Sequence, residues 1–289
     1  MKKLVKLVKK EEKIGPKALE EYFMSKEIAL NMRFALSKFG PGRIFTRENI
    51  EKVEEMRVEY KYLLKNLSKN DIKDMLDRFV ANFTYDSNAI EGNSLTLKDV
   101  GMVLFENKVI AGKDLREIYE TKNSRKVAED IFNGKFKIDH ESIIKMHKML
   151  MKDIDERTGY KTFPNYIFGR QIKTTPPEKV RKDMDSLISF YKESHNMIHP
   201  LKVAATFHGR FEGIHPFADG NGRVGRFLIN AILVDRGYPP ITIRKTRRVA
   251  YMSSLEAFDL GKKDRLERFM IDRYKETFRK FFEVYVKSS

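Results

Sequence analysis

The chain has 289 residues, carries 57 Lys and Arg against 41 Asp and Glu for a formal charge of +16, and contains no cysteine. That length holds two modest domains or one domain with extensions, and the absence of cysteine excludes a disulfide framework and a thiolate zinc site, which fits a reducing cytoplasm. No apolar stretch approaches a membrane span, and the basic balance draws acidic partners, nucleotides and nucleic acid without selecting among them, so nucleic acid stays open as a partner.

Met1 to Lys10 intersperses lysines among its apolar residues, unlike the unbroken apolar run of a signal peptide. Beyond it, most segments carry helical periodicity. Pro16 to Phe39 reads as a helix stopped by Gly40-Pro41-Gly42. Thr46 is the expected N-cap of a helix running to about Leu67, with Glu48 in its first turn and no Glu or Gln placed to complete a capping box. Helices are expected from about Lys69 to Phe83, from an N-cap at Thr96 to Glu106, and from Asp114 to Phe132, ending at Asn133-Gly134. Asp139 caps another to about Met151. Residues 155–175 mix Tyr, Phe, Ile and Thr with Pro and Gly and are the one strand-like region, suiting a hairpin. A helix begins near Lys179; Leu201 to Ile214 and Val224 to Val234 form two more. Pro239-Pro240 then breaks the chain before a short extended piece, Ile241-Thr242-Ile243, and helices follow from about Thr246 to Phe258 and Lys263 to Phe282. The fold expected is mainly α with a small β-hairpin. Residues 1–75 form an N-terminal helical extension, 76–250 the core and 251–289 the C-terminal helices.

The densest chemistry lies in His215-Pro216-Phe217-Ala218-Asp219-Gly220-Asn221-Gly222-Arg223-Val224-Gly225-Arg226. Gly213 and Pro216 end the helix before it, and its second half opens the helix after it. A helix N-terminus presents free N–H groups and the positive end of a dipole, and Gly220 and Gly222 let the backbone curl close to a ligand. Such a turn is an anion cradle. Arg223 and Arg226, three apart, share a face of the first helical turn, and guanidinium forks suit phosphate oxygens. Asp219 offers a hard oxygen to a magnesium ion bridging phosphates, and His215 titrates near neutrality and can take a proton from an attacking hydroxyl.

This segment resembles the signature of the Fic family, His-x-Phe-x-Asp/Glu-Gly-Asn-Gly-Arg-x-x-Arg, at every fixed position. The resemblance covers roughly Phe79 to Phe269 and implies a Fic-type helical bundle that transfers AMP from ATP, with Mg2+, onto a Ser, Thr or Tyr hydroxyl of a target protein. It implies His215 as general base, Phe217 as the loop's inward anchor and Asp219 as the magnesium ligand. Gly220, Asn221 and Gly222 would form the anion hole around the α- and β-phosphates, Arg223 would steady the β-phosphate and Arg226 would bind the γ-phosphate. Gly159-Tyr160-Lys161-Thr162 followed by Tyr166-Ile167-Phe168-Gly169 looks like the segment leading into the family's β-hairpin flap, which clamps the target by strand pairing. Lys161 departs from the Arg of many relatives, and a Lys cannot make a bidentate contact. Donors such as UTP remain open because the base-specific pocket lies outside the signature. A different class, a nucleotide-sensing or nucleic-acid-binding regulator, would explain the charge but not the joint presence of His215 and Asp219.

Upstream, Ser87-Asn88-Ala89-Ile90-Glu91-Gly92-Asn93 matches the family's inhibitory motif, Ser/Thr-x-x-x-Glu-Gly/Asn. Ser87 and Glu91, four apart, share a helical face, and Gly92-Asn93 is a helix stop. A Glu91 carboxylate paired with Arg226 would take the guanidinium meant for the γ-phosphate. Its place before the signature resembles the class with an N-terminal inhibitory helix, some members of which also remove AMP and many of which form homodimers. His195 and His199 are four apart, but Pro200 ends any helix there and no third ligand stands near, so a surface role is expected for them. His208 is expected to pack or hydrogen-bond near the loop, His140 to neighbour a helix cap and His147 to be half-buried.

Overall fold

Side-chain caps and prolines set several helix starts in the computed structural model, which describes residues 16–132, 134–167, 173–194 and 197–288. The first helix, α1 (Pro16–Phe39), packs on α2 (Arg47–Asn66), whose N-cap Thr46 accepts a hydrogen bond from the Asn49 N–H. Ser68 caps α3 (Lys69–Ile90), which runs past its expected end at Phe83 as far as the inhibitory motif. Polar residues in its last two turns explain the difference. Thr84, Asp86, Ser87 and Asn88 are all buried here, so this stretch lacks the apolar stripe that marks a helix in sequence. Thr96 and Asp99 form a reciprocal capping box at α4 (Leu97–Glu106), with Asp99 in the place usually held by Glu or Gln.

Next come α5 (Leu115–Phe132) and α6 (His140–Leu150), the latter capped by Asp139. Two prolines set later starts: Pro177 opens α7 (Pro177–Glu193) and Pro200 opens α8 (Pro200–Ile214). The remaining helices are α9 (Asn221–Asp235), α10 (Arg248–Asp259, entered through a 3-10 turn at Lys245–Arg247), α11 (Lys263–Phe281) and α12 (Glu283–Ser288). Among the described residues there are no strands, and no helix is long and apolar enough to cross a membrane.

The helix α8 is the central rod. Leu201, Val203, Ala204, Ala205, Phe207 and Phe211 are all fully buried, and only the face that carries Lys202, Thr206 and Arg210 reaches solvent. It packs against α9, α11 and α7, while α9 also touches α5, α6 and α3. The loop between α8 and α9 is thus gripped by two buried helices whose apolar contacts set its position.

The helices before α3 join the same core. Glu54 of α2, 1% exposed, accepts a hydrogen bond from the Tyr238 hydroxyl, pairs with Arg57 at 3.2 Å and lies 3.3 Å from His199 Nε2. Burial works against its charge, but these neighbours hold its carboxyl below the ordinary value. The surface role expected for His199 is therefore incorrect: it is 2% exposed, and its Nδ1 accepts from the Leu201 N–H at the start of α8. Pro200, which ends any helix carrying both histidines, also makes His199 an N-cap. His195 lies outside the described residues.

Candidate active site

His215 ends α8 with a left-handed backbone, φ 51° and ψ 59°, while its N–H still donates to Phe211 O. A residue with a side chain rarely adopts this conformation, and such positions cluster where function requires a fixed direction. Two residues on, Phe217 is fully buried and stacks on His147, with ring centroids 3.9 Å apart. Asn221 then laces the loop: its Oδ1 accepts from Phe217 N and its Nδ2 donates to Phe217 O, both at 2.8 Å. The amide side chain is thereby engaged in folding the loop, and Asn221 faces a ligand through the start of α9. No side chain caps that helix, whose N-cap is Gly220 at φ 77°. Its first-turn N–H groups therefore have no intrahelical partner, the condition for an anion cradle.

Four charged side chains, from two helices and the loop between α8 and α9, meet beside the cradle. Asp219 Oδ1 accepts from the Gly220 N–H and its Oδ2 from Arg116 Nη2 at 2.5 Å. Burial raises the Asp219 carboxyl, but Arg223, the Gly220 N–H and Arg116 together hold it below its ordinary value. Arg116 also donates to Glu120 Oε1 at 3.2 Å; the same oxygen lies 3.3 Å from Arg223 Nη1, and Glu120 Oε2 accepts from Asn93. Beneath them His147 Nε2 donates to the Asp219 carbonyl. Burial and the nearby Arg223 bring its pKa down to about 4, so the ring is neutral and keeps its proton on Nε2. His147 is 1% exposed, not half-buried; the Phe217 ring covers the face that helical periodicity assigned to the edge.

Arg226 meets the end of α3. Its Nε donates to Ser87 Oγ and its Nη2 to Ser87 O, both at 2.9 Å, and Nη2 pairs with Glu91 Oε1 at 2.7 Å. Burial opposes the charge, but Glu91, Tyr251 and Glu212 together hold the guanidinium above its ordinary value. Arg226 is 2% exposed while the Glu91 side chain is 39% exposed, so the carboxylate reaches in from the rim. It lies over the cradle: a Cβ on Gly222 would stand 2.3 Å from Glu91 Oε1. Gly92, at φ 103°, turns the chain away directly afterwards.

The expected β-hairpin flap is not seen. Among the described residues of 155–175 the chain is irregular; Lys161 and Asn165 bond to the signature loop, and Thr174 bonds to Asn165. Lys161 N donates to Pro216 O at 2.8 Å, Asn165 Nδ2 donates to Phe217 O at 2.7 Å, and Thr174 Oγ1 donates to Asn165 O at 2.7 Å. A lone two-stranded hairpin is marginal in water, and these bonds offer the backbone an alternative. Tyr166 is 83% exposed and Ile167 is half-buried, neither in a strand; Phe168 lies outside the described residues. A cavity of about 270 Å³ between this segment and Ala218 of the loop is lined by Tyr160, Phe163 and Pro164. Lys161 is buried and donates to Asn165 Oδ1, Thr174 Oγ1 and Ile214 O, and burial brings its pKa down to about 8. It braces the loop from behind.

Sequence reading missed Arg116, Glu120 and Asn165. Arg116 and Glu120 are four apart on α5 like many solvated pairs, and nothing local distinguishes them. His208 does pack behind the loop as expected, bonded to the Tyr251 hydroxyl at 2.7 Å.

A central buried helix, a glycine-opened helix start and two arginines beside an imidazole and a carboxylate define a helical protein built around an anion cradle. Residues 137–233 match the model of the Fic/DOC family, and the chain carries a Fic domain. It is 26% identical over 221 residues to the protein adenylyltransferase fic-1 of Caenorhabditis briggsae, covering 74% of this chain and 43% of that protein. It is 30% identical over 200 residues to the protein adenylyltransferase Fic of Drosophila willistoni, covering 67% and 40%. The chain therefore spans less than half the length of these curated relatives. The solved structure of Fic-1 (aa134 - 508) from C. elegans shares the fold, with a TM-score of 0.74 and 24% identity over 84% of this chain and 73% of that one.

Proposed function

We propose that this chain is a protein adenylyltransferase of the class with an N-terminal inhibitory helix, transferring AMP from ATP to a Ser, Thr or Tyr hydroxyl of a target protein and held back by Glu91. The observation that carries this reading is the bond of Glu91 to Arg226 directly over the cradle. It joins the two motifs, 135 residues apart, in one site. ATP lies with its α- and β-phosphates on the N–H groups of Gly220, Asn221 and Gly222, Arg223 on the β-phosphate and Arg226 on the γ-phosphate. His215 takes the proton of the target hydroxyl as its oxygen bonds to Pα and the Pα–O bond to pyrophosphate breaks. Tyr166 and Ile167 flank the approach of the target segment, and Phe168, which lies outside the described residues, belongs to the same docking assignment. Residues 1–75 act as a helical extension, 76–250 as the catalytic core and 251–289 as C-terminal helices supporting it.

A magnesium ion suits the donors present. Among the described residues no group of three or more His, Cys, Asp or Glu is arranged to hold a metal, but magnesium commonly takes one carboxylate with phosphate oxygens and water. Asp219 is that carboxylate, 40% exposed at the rim of the cradle. When bound, the ion neutralises charge on the phosphates and the departing pyrophosphate.

With Glu91 on Arg226, the γ-phosphate loses its partner and the α-phosphate sits out of line; a shift of about 1 Å costs roughly a hundredfold in rate. The test is intact mass after incubation with magnesium and ATP. Glu91→Gly gains one or more AMP groups, while wild type and the Glu91→Gly, His215→Ala protein do not. Transfer from UTP instead of ATP by Glu91→Gly would replace the donor named here, and equal labelling with His215→Ala would remove the base.

A further inference from the structure

The signature holds one glycine that neither the cradle nor the brake uses. A Cβ on Gly225 would stand 2.7 Å from Glu212 Oε1 and 2.9 Å from His208 Cε1 and Nδ1. Gly225 therefore leaves room for a carboxylate that projects from α8 onto α9. That carboxylate is 6% exposed, and its other oxygen, Oε2, lies 4.0 Å from His215 Nδ1. A buried carboxylate is costly and calls for a partner. Arg226, whose charge Glu212 supports from nearby, directs its guanidinium bonds to Ser87 and Glu91. Among the groups around Glu212 are His208 on its own helix, His215 at that helix's C-cap, Arg226 on α9 and Tyr251 on α10.

We propose that Glu212 is a positioning residue for His215: it holds a proton on Nδ1, so that Nε2 is the basic atom turned to the substrate hydroxyl, and it stabilises the imidazolium formed there. This rests on His215 being the base of the reaction above. The partner of one ring nitrogen sets the tautomer at the other, and Nδ1 is buried. His215 closes α8 with a left-handed backbone, and its Nδ1 comes near Glu212, three residues earlier. A separation of 4.0 Å is longer than a hydrogen bond, and acid–base contacts of this kind tighten when substrate fills the site. In the step itself the hydroxyl proton moves to Nε2 as the O–Pα bond forms and pyrophosphate departs with the electron pair of the broken Pα–O bond. Glu212 takes no proton; its negative charge offsets the positive ring.

Two measurements on Glu212→Gln and Glu212→Asp test this. The first follows the His215 imidazole by NMR against pH, assigned with His215→Ala, and needs no activity. Loss of the charge in Glu212→Gln lowers the His215 pKa by about one unit, a tenfold fall in proton affinity, while Glu212→Asp stays near wild type. The second follows self-modification against pH in the Glu91→Gly background. There Glu212→Gln loses roughly ten- to a hundredfold in kcat, its acid limb moves to lower pH, KM for ATP holds within about twofold, and Glu212→Asp recovers part of kcat. An unchanged His215 titration overturns the proposal, as does a loss confined to KM for ATP, which would place Glu212 behind Arg226. If Glu212→Gln does not fold, Glu212→Asp decides: its shortened carboxylate must lower kcat at constant KM, and an unchanged kcat overturns the proposal. Absence of AMP transfer in the Glu91→Gly parent refutes the activity, and the NMR titration still decides whether Glu212 governs His215.

Discussion

Replacing Glu91 with glycine isolates the contact that binds the two motifs. The backbone at this position, φ −86° and ψ 0°, lies where other residues are tolerated, so glycine adds no required freedom there and the effect comes from the lost carboxylate. That carboxylate makes one charge-assisted bond of 2.7 Å to a guanidinium that is 2% exposed. Such bonds contribute about 1.5–3 kcal/mol. The 39% exposure of Glu91 admits solvent screening, which brings the figure to roughly 1–2 kcal/mol. A γ-phosphate must displace this carboxylate to reach Arg226, so its removal returns the same energy to ATP binding. At 1.4 kcal/mol per tenfold, the Kd for ATP falls by about five- to thirtyfold. ADP lacks the γ-phosphate, and its Kd stays within about twofold by the same conversion. Folded stability moves oppositely, dropping by about 1–2 kcal/mol because a buried guanidinium keeps only its Ser87 bonds. Calorimetric titration of both nucleotides into wild type, Glu91→Gly and Glu91→Gln, with thermal unfolding of each, checks this. A drop in stability with no gain for ATP, or an equal gain for ADP, would refute the competition.

Three further outcomes follow from the surroundings of the cradle. Arg116 occupies the Asp219 carboxylate at 2.5 Å as a half-exposed pair worth about 0.2–1 kcal/mol, so Arg116→Ala tightens Mn2+ binding by up to about fivefold in paramagnetic titrations, whereas Asp219→Ala abolishes it; no change in Arg116→Ala would show that the pair does not compete. Burial holds the pKa of Lys161 at about 8, below its unfolded value of 10.5. The unfolded chain therefore binds more protons between those values, and stability rises with pH across that window by up to roughly 3 kcal/mol; Lys161→Met flattens this slope in denaturant unfolding, and a persisting slope would assign it elsewhere. His147→Phe keeps the ring that covers Phe217 but loses the Nε2–H bond to the Asp219 carbonyl, costing about 1 kcal/mol by chemical denaturation, with self-modification of the Glu91→Gly form lowered. Full activity in that variant would show that the loop holds its shape without the bond.

Helix starts were legible wherever a side chain caps its own helix, as at Thr46, Thr96 and Asp139, because the donor and acceptor lie three residues apart. The same locality made the signature readable, since its base, carboxylate, glycines and arginines are consecutive. The strand-like reading of residues 155–175 finds no strand among the described residues, for the complementary reason. Its aromatic and β-branched residues favour a strand only if another strand pairs with them, and here Asn165 and Lys161 bond to the loop at Pro216 and Phe217 instead. The last turns of α3 fall outside its apolar stripe but carry the helical face that the inhibitory motif puts on Ser87 and Glu91; the burial of Ser87 and Asn88 there depends on Arg226 and Thr121 of other helices.

By itself, then, the sequence determined the helical class, most helix boundaries and the position of a contiguous candidate anion cradle with a matching carboxylate motif upstream. Each of these rests on interactions within about one helical turn. Only the tertiary structure decided that Arg226 is bonded to Ser87 and Glu91, that Arg116 holds Asp219 through a network shared with Glu120, and that Glu212 stands behind His215. Those pairs join residues on different helices, or turn on a left-handed backbone at a helix end. Their energies depend on burial and direction, which composition and spacing do not carry.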